Sequence, residues 1–369
     1  MTEASMSTVA ITGSAGYFGE RLIRRLHDHT SVERLIGVDV RDPHPDPHDK
    51  VTHFRLDIRN SLLPQLLSSL GVDTIIHLAF SVKPIHDRRQ MHEINLVGAL
   101  NLLRAARMAK VRRIILLSST TVYGFHGDNP FYMDEKHRTR PNREMQYAID
   151  KVEVETLLLH YARKNPACRI VILRPCSVTG SRVQNYLSDY LSNPVVPVIV
   201  GYDPLFQFVY VEDVIDATIA ALERRDATGM YNVVGDGAIP LRNVVKLSGG
   251  IPLPVPTPVA RPVNDLLWYL KLAHSPSGSL NQYRFSCLAS NQRLKKELGV
   301  VPRFTSEEAL GREISAQRIQ SIEGTERPPS RAPLSDALRE YHRDRERAEE
   351  DRILRIVHPR SAKSARSST

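Results

Sequence analysis

Cysteine is scarce in this sequence. Its three residues, Cys168, Cys176 and Cys287, are too few and too widely spaced for a disulfide framework or a C-x-x-C metal site, which points to a reducing, cytoplasmic setting. No stretch of about 18 consecutive apolar residues exists, so no membrane span is expected. The N-terminus passes from Met1 almost directly into the strand-like Thr8-Val9-Ala10-Ile11, without a basic, apolar, small-residue leader. No internal repeat is visible. Nor is the composition biased: 41% hydrophobic and 25% charged residues suit a globular chain and exclude a disordered, collagenous or coiled-coil one. At about 100–200 residues per domain, 369 residues make one large domain or two smaller ones.

A formal charge of +9 raises the question of nucleic acid, and the place of the excess answers it. From Arg331 to Thr369 ten Lys/Arg face seven Asp/Glu, so the tail alone supplies +3. Its run Arg339-Glu340-Tyr341-His342-Arg343-Asp344-Arg345-Glu346-Arg347 interleaves both signs, as a solvated helix laced with i,i+4 pairs does. No aromatic residues alternate with the basic ones to stack bases, so nucleic acid is not an expected partner.

Short β-branched runs alternate with segments of helical period, the pattern of a parallel sheet with crossover helices. Strands are predicted at Thr8–Thr12, Arg34–Asp39, Val51–Asp57, Thr74–Ala79, Arg113–Ser118 and Arg169–Arg174, and helices at Tyr17–Asp28, Ser61–Leu70, Met91–Lys110 and Met145–Lys164. After Arg174-Pro175 the prolines multiply, at 194, 197, 204, 240, 252, 254 and 256, which predicts a smaller, loop-rich lobe that would carry ligand specificity. From about Ile322 onward Pro, Ser and Arg predominate, and order there is not expected.

Immediately after the first strand stands Thr12-Gly13-Ser14-Ala15-Gly16-Tyr17-Phe18-Gly19, which leads into a helix. Glycines there serve a tight turn, close approach of backbone to a pyrophosphate, and close packing of helix on strand. The pyrophosphate would lie over the helix N-terminus. The second strand ends in Asp39, twenty residues after Gly19, where a carboxylate accepts from both ribose hydroxyls of NAD and repels a 2′-phosphate. Arg41, two residues on, is the one feature that points toward NADP. Asp57, at the end of the third strand, is a candidate for the adenine side.

Tyr147 and Lys151 are four apart, so on a helix they share a face. An ammonium beside a phenol favours the phenolate. A shift of about 2–5 units from a usual value near 10 would make Tyr147 a general base at neutral pH. Such a pair also occurs on ordinary helix surfaces. Upstream, Ser118-Ser119-Thr120-Thr121 follows the fifth strand, at the carboxyl edge where open α/β sheets bind ligands.

The ordered set Thr12-Gly13-x-x-Gly16-x-x-Gly19, Asp39, Asp57-Ile58, His77-Leu78-Ala79, Asn95, Ser119 four before Tyr123, Tyr147-x-x-x-Lys151 and Arg174-Pro175 resembles the extended short-chain dehydrogenase/reductases. Within them it is most similar to the NAD-dependent epimerase/dehydratase group, over about residues 7 to 315. Phe208-Val209-Tyr210-Val211-Glu212-Asp213-Val214, Tyr231-Asn232-Val233-Val234-Gly235 and the segment from Asn291 to Gly299 fit later signatures of that family. The resemblance implies a Rossmann fold, a doubly wound parallel sheet with a smaller, loop-rich C-terminal substrate lobe. The NAD-binding domain would span 7–175 and the substrate lobe 176–320, with re-entry into the Rossmann domain near 205–235, and 321–369 would be a charged tail. It further implies Ser119 as the substrate-orienting hydroxyl, Tyr147 as acid/base, and Lys151 as the residue that lowers the phenol pKa and binds the nicotinamide ribose. NAD would contact Gly13, Gly16, Tyr17, Phe18, Gly19, Asp39, Asp57, Ile58, Leu78, Ala79, Asn95, Lys151 and Pro175. The family also implies a homodimer through the two long helices.

Departures from the family pattern narrow the reaction. Dehydratases carry an Asp-Glu pair just after the catalytic hydroxyl, whereas this chain has Thr120-Thr121, so elimination lacks its acid. Epimerases and alcohol dehydrogenases need only Ser119, Tyr147 and Lys151. Where nucleotide-sugar epimerases place an Arg for the diphosphate, this chain reads Phe206-Gln207, with Arg182 or Arg284 as substitutes. Ser177 stands where many relatives have Asn. Ser119, Thr120 and Arg182 are the candidate substrate contacts. The segment from Pro262 to Ala273 resembles the 3β-hydroxysteroid dehydrogenase-like branch; its apolar stripe would close the lobe's core, cover a greasy substrate or lie on a membrane surface. His77, His92 and His126 have no metal spacing and are expected to be structural. The leading expectation is therefore an epimerase-type oxidoreductase acting on a nucleotide-sugar or related carbinol. A net dehydrogenase of a lipid-like or sterol-like alcohol and a non-catalytic dinucleotide sensor are the rivals.

Overall fold

The computed structural model describes residues 7–43, 50–82, 88–181, 183, 186–191, 193–270, 277–322 and 336–358. The strands are β1 (Ser7–Thr12), β2 (Val32–Asp39), β3 (Val51–Arg55), β4 (Thr74–His77), β5 (Arg113–Leu117), β6 (Arg169–Pro175), β7 (Ser177–Thr179), β8 (Val195–Ile199), β9 (Leu205–Phe206), β10 (Phe208–Tyr210), β11 (Gly229–Val233), β12 (Ile239–Pro240) and β13 (Ile251–Val255). The helices are α1 (Tyr17–His27), α2 (Leu63–Ser69), α3 (Arg88–His92), α4 (Gly98–Met108), α5 (Gln146–Lys164), α6 (Tyr186–Leu191), α7 (Val211–Glu223), α8 (Leu241–Leu247), α9 (Thr257–Tyr269), α10 (Ser306–Ile322) and α11 (Asp336–Val357).

Seven strands form one sheet in the order β11-β6-β5-β4-β1-β2-β3, and each neighbouring pair is parallel. Alternation along β1 feeds both faces. Val9 and Ile11 belong to a core with Leu22 and Leu26 of α1 and Val214 of α7. Ala10 belongs to the opposite core, with Leu66 of α2, Leu102 of α4 and Val154 of α5. Helices thus cover both faces, and the α/β, doubly wound architecture follows. Strands β3 and β4 end two residues earlier than their apolar runs, because Leu56-Asp57 and Leu78-Ala79 leave the sheet to line the cleft described below. Helix α2 begins at Leu63 rather than Ser61, with Pro64 in its first turn, where a missing N–H costs nothing.

The helix predicted at Met91–Lys110 is a longer rod: α3 and α4 joined by a π-helical turn at Glu93–Val97. Beyond β6 the chain builds three two-stranded ladders, β10 with β7, β12 with β9 and β13 with β8, around a separate apolar cluster that includes Val196, Phe206, Phe208 and Val244. Between them it returns to the large sheet, where β11 lies beside β6.

Two expectations need correction. The described part of the tail is not merely solvated. Helix α11 forms, but its Ile353 is fully buried among core residues that include Phe54 and Leu66, Arg352 lies 4.8 Å over the Phe54 ring, and Arg345 pairs with Asp42 at 2.8 Å. Its interleaved charges hid one apolar contact. The stripe of α9 does not close the lobe's core either. No residue of α9 is buried, Val259, Val263, Leu266 and Tyr269 are exposed, and the inner contact is Ala260.

Candidate active site

The strand order reverses between β1 and β4, and a cleft of about 720 Å³ opens at the carboxyl ends of the strands there. Its first half is built by the turn after β1. Gly13 has φ +74°, and a Cβ on it would stand 2.7 Å from the Ala79 amide nitrogen; one on Gly19 would stand 2.4 Å from the Gly13 carbonyl oxygen. Neither position admits a side chain. Gly16 is the N-cap of α1 and offers no side-chain cap, so N–H groups of the first turn are left for an anion. Gly13, Gly16, Tyr17, Phe18 and Gly19 all line the cleft. The Tyr17 hydroxyl also donates to the Ser181 carbonyl at 2.9 Å, clasping this turn to the second lobe.

Asp39 ends β2 buried at 6% exposure. Its carboxylate accepts from Ala15 N–H at 3.1 Å and Arg41 N–H at 3.0 Å, and the Arg41 side chain pairs with it at 3.3 Å. Asp57 is half-buried; burial raises its carboxyl, but hydrogen bonds from Arg59 outweigh this and hold it below the usual range. Ile58, Leu78, Ala79 and Pro175 also line the cleft. Asn95 does not: it is fully buried in the π-turn, where it accepts from Ser81 N–H and donates to Asp150, each at 2.8 Å. It holds the Ser81 loop, and Ser81 itself lines the cleft.

Ser119, Thr120, Tyr147 and Lys151 meet where the two halves of the cleft join. Ser119 caps the short turn Thr120–Tyr123 by accepting from Thr121 N–H at 3.2 Å. Burial pushes the Tyr147 phenol up to about 12, and its hydrogen bond with Ser119 only partly offsets that. Lys151 does not offset that rise. The ammonium lies 5.6 Å from the Tyr147 ring centre and 3.6 Å from that of Phe80, and it donates to the Leu117 carbonyl at 2.6 Å. Burial brings Lys151 itself down to about 7, with Glu155 and Asp150 opposing the fall.

A buried network absent from the sequence reading supports these groups. Glu155 accepts two hydrogen bonds from Arg174, at 2.6 and 3.0 Å, and one from Ser118 at 2.5 Å. Arg174 continues to the Tyr123 hydroxyl at 2.9 Å, and that hydroxyl donates to Asn232 at 2.8 Å. Asp150 gathers His92, Asn95 and Gln146. Glu155 lies four residues after Lys151 and Asp150 one before it, so helical spacing was the available signal. The three histidines have structural partners: His77 with Thr12 at 2.7 Å, His92 with Asp150 at 2.8 Å, His126 with the Arg140 carbonyl at 2.7 Å. No cluster able to hold a metal occurs among the described residues, and no described helix is long and apolar enough to cross a membrane.

In the second lobe Cys176, Leu187, Phe206, Gln207, Phe285 and Cys287 face the cleft. Arg182 lies outside the described residues. Arg284 does not line the cleft; its guanidinium bonds the Tyr202 hydroxyl at 2.9 Å and lies 4.9 Å from the Phe285 ring centre.

A glycine turn closed to side chains, an uncapped helix start and a buried carboxylate at the second strand end make a seat that fits a dinucleotide. Comparison with known proteins agrees. Residues 9–234 match the model of the NAD dependent epimerase/dehydratase family, and the chain belongs to that family. An uncharacterized protein of Mycobacterium tuberculosis is 29% identical over 341 residues, 86% of this chain and 88% of that protein. The UDP-glucose 4-epimerase of Thermotoga maritima, solved with UDP-glucose, superposes with a TM-score of 0.68 at 20% identity, covering 85% of this chain and 99% of that one. The UDP-glucose 4-epimerase of Thermus thermophilus, solved with NAD, gives 0.66 at 21%, covering 84% and 99%.

Proposed function

We propose that this chain is a NAD-dependent oxidoreductase of the epimerase type, acting at a carbinol carbon. One observation carries the reading: Ser119, Tyr147 and Lys151, drawn from two separate elements, converge in the cleft that the glycine turn and Asp39 also line. When bound, NAD supplies the acceptor for the hydride that leaves the carbinol carbon. Ser119 Oγ hydrogen-bonds the substrate oxygen and fixes its position. Tyr147 Oη takes the hydroxyl proton, or returns it when the carbonyl is reduced. A buried phenol near 12 is a proton donor at rest, and positive charge beside it favours the phenolate; Lys151 is this chain's own source of that charge. The Gly13–Gly19 turn and the N-terminus of α1 hold the pyrophosphate, and Asp39 holds the adenosine ribose.

In the epimerase course Tyr147 gives its proton back as the carbon is reduced on its other face, and no reduced cofactor accumulates. In the second reading, a net dehydrogenase, NADH is released. Lasting NADH absorbance with substrate in excess separates the two. Tyr147→Phe tests both: turnover should fall while NAD binding stays, and unchanged turnover would overturn the mechanism. We further infer a homodimer through the α3–α4 rod and α5. Val97, Leu100 and Met108 are exposed on that rod, and light scattering reads the mass.

A further inference from the structure

We propose that His92 is a positioning residue for this site, and that the charge on its ring reaches Tyr147 and Lys151 through Asp150, Asn95 and the loop that carries Phe80. The proposal rests on the oxidoreductase reading above and names how pH regulates that same site.

The path is continuous from the surface to the cleft. The His92 side chain is 38% exposed, and its Nδ1 lies 2.8 Å from Asp150 Oδ1. Asp150 is fully buried on α5, one residue before Lys151 and three after Tyr147. Gln146 donates to the same carboxylate oxygen at 2.7 Å, and Asn95 donates to the other at 2.8 Å. Of these three donors only the imidazole can carry a charge. The Asn95 side-chain carbonyl then accepts from Ser81 N–H, again at 2.8 Å, and Ser81 lines the cleft. Its neighbour Phe80 lines the cleft as well. Lys151 Nζ lies 3.6 Å over the Phe80 ring, and the Tyr147 ring meets that ring edge-on at 5.6 Å.

A tie that served helix packing alone would end at Asp150. A buried carboxylate is unfavourable unless its oxygens are matched, and here the matching groups each fix a further element: His92 fixes α3, and Asn95 fixes the Phe80–Ser81 loop. Among the described residues the charged groups facing the ring are Asp150 and Glu153, the latter at 3.9 Å, from α5, and Glu93 beside it. All are acidic. The hydrogen bond to Asp150, followed by the charges of Asp150, Glu153 and Glu93, raises the ring above the usual histidine range against the opposing effect of burial. When the proton leaves, one ring N–H remains, so the link to Asp150 weakens rather than breaks. The tie is therefore tightest below the usual value of 6.5 and slackens as pH rises through the raised one.

The ring and the cofactor seat can each be read apart from turnover. Histidine-labelled protein is titrated by NMR, and NAD affinity is followed by calorimetry between about pH 5 and 8, where histidine changes charge. Wild type is compared with His92→Asn, which keeps an N–H near the place of Nδ1 without its charge, and with Asp150→Asn. The resonance lost in His92→Asn identifies the ring; it should titrate above its usual value in wild type and fall back in Asp150→Asn. His92→Asn should bind NAD about two- to fivefold more weakly than wild type at the acid end, as for a pair open to solvent on one side, and equally at the alkaline end. The titration of Lys151 is common to both proteins and drops out of that ratio. A ratio that does not change with pH overturns the proposal, and so does a ring that titrates at its ordinary value with Asp150 in place. Should Asp150→Asn fail to fold, His92→Asn, altered only at the rim, still decides. Failure of the underlying reading looks different: Tyr147→Phe would keep its turnover, whatever the ring and the NAD profile show.

Discussion

The two walls of the cleft solve opposite problems. The wall made by the sheet ends and α5 holds charged side chains and gives each a partner: Asp39 with Arg41 and Ala15 N–H, Asp57 with Arg59, Lys151 with the Leu117 carbonyl. The wall made by the second lobe holds no described charge, and one of its polar side chains, Gln207, is already satisfied by backbone. Fixed dipoles and paired charges define one ligand shape closely, whereas an apolar wall defines mainly volume. The sheet-end wall therefore offers a ligand fixed partners, and the described part of the second-lobe wall offers it mainly shape.

Perturbing the seam should give the largest effect. Tyr147→Phe should lower kcat by about 10²–10⁴-fold, the usual worth of a positioned acid/base, with NAD affinity unchanged by calorimetry. Next comes the strict wall's support. Glu155→Gln leaves Arg174, whose side chain is 3% exposed, without its charge partner, and should cost about 3–5 kcal/mol in denaturant unfolding. A loss below about 1 kcal/mol, the level of a solvent-exposed pair, would show that the pair is not truly sequestered. Asp39→Ala should weaken NAD by about 1.5–3 kcal/mol, as for a hydrogen bond to a charged group, and narrow its advantage over NADP, since Arg41 stays. Phe206→Ala should raise KM for the substrate and leave NAD affinity alone; equal loss of both would dissolve the contrast between the walls.

The seam also carries a pH dependence. Lys151 is brought down to about 7 in the folded protein from a usual value near 10.5. Between those values the unfolded chain binds the extra proton. Stability contributed by this site therefore rises with pH from about 7 toward 10.5 and is absent below the lower limit. Lys151→Met should flatten that part of a melting-temperature profile.

The sheet was readable because β-branched runs and glycine turns act locally: six strands, their parallel pairing and the position of the phosphate turn follow from nearest-neighbour chemistry. Tyr147 and Lys151 showed only a spacing common on helix surfaces, and it was the family resemblance that singled out Ser119 and joined the three as a set. What escaped depends on distant contact. Glu155 and Asp150 look like surface acids of α5 until Arg174 and Asn95 arrive from other elements, and burial of the phenol, invisible in a spacing, reverses the expected direction of its pKa. The second lobe was least legible because its ladders are two to five residues long and its specificity lies in packing.

Helix α11 carries a practical corollary. Strand β3 is the outermost on its side of the sheet, and the chain's last described helix packs along it and α2, anchored by Ile353. Arg345 fastens to Asp42, three positions beyond the carboxylate that would grip the ribose. A truncated form lacking residues 336–358 would bare a strand border prone to self-association and release Asp42, close to the end of β2, so a recombinant fragment that stops before Asp336 would misreport both solubility and cofactor affinity.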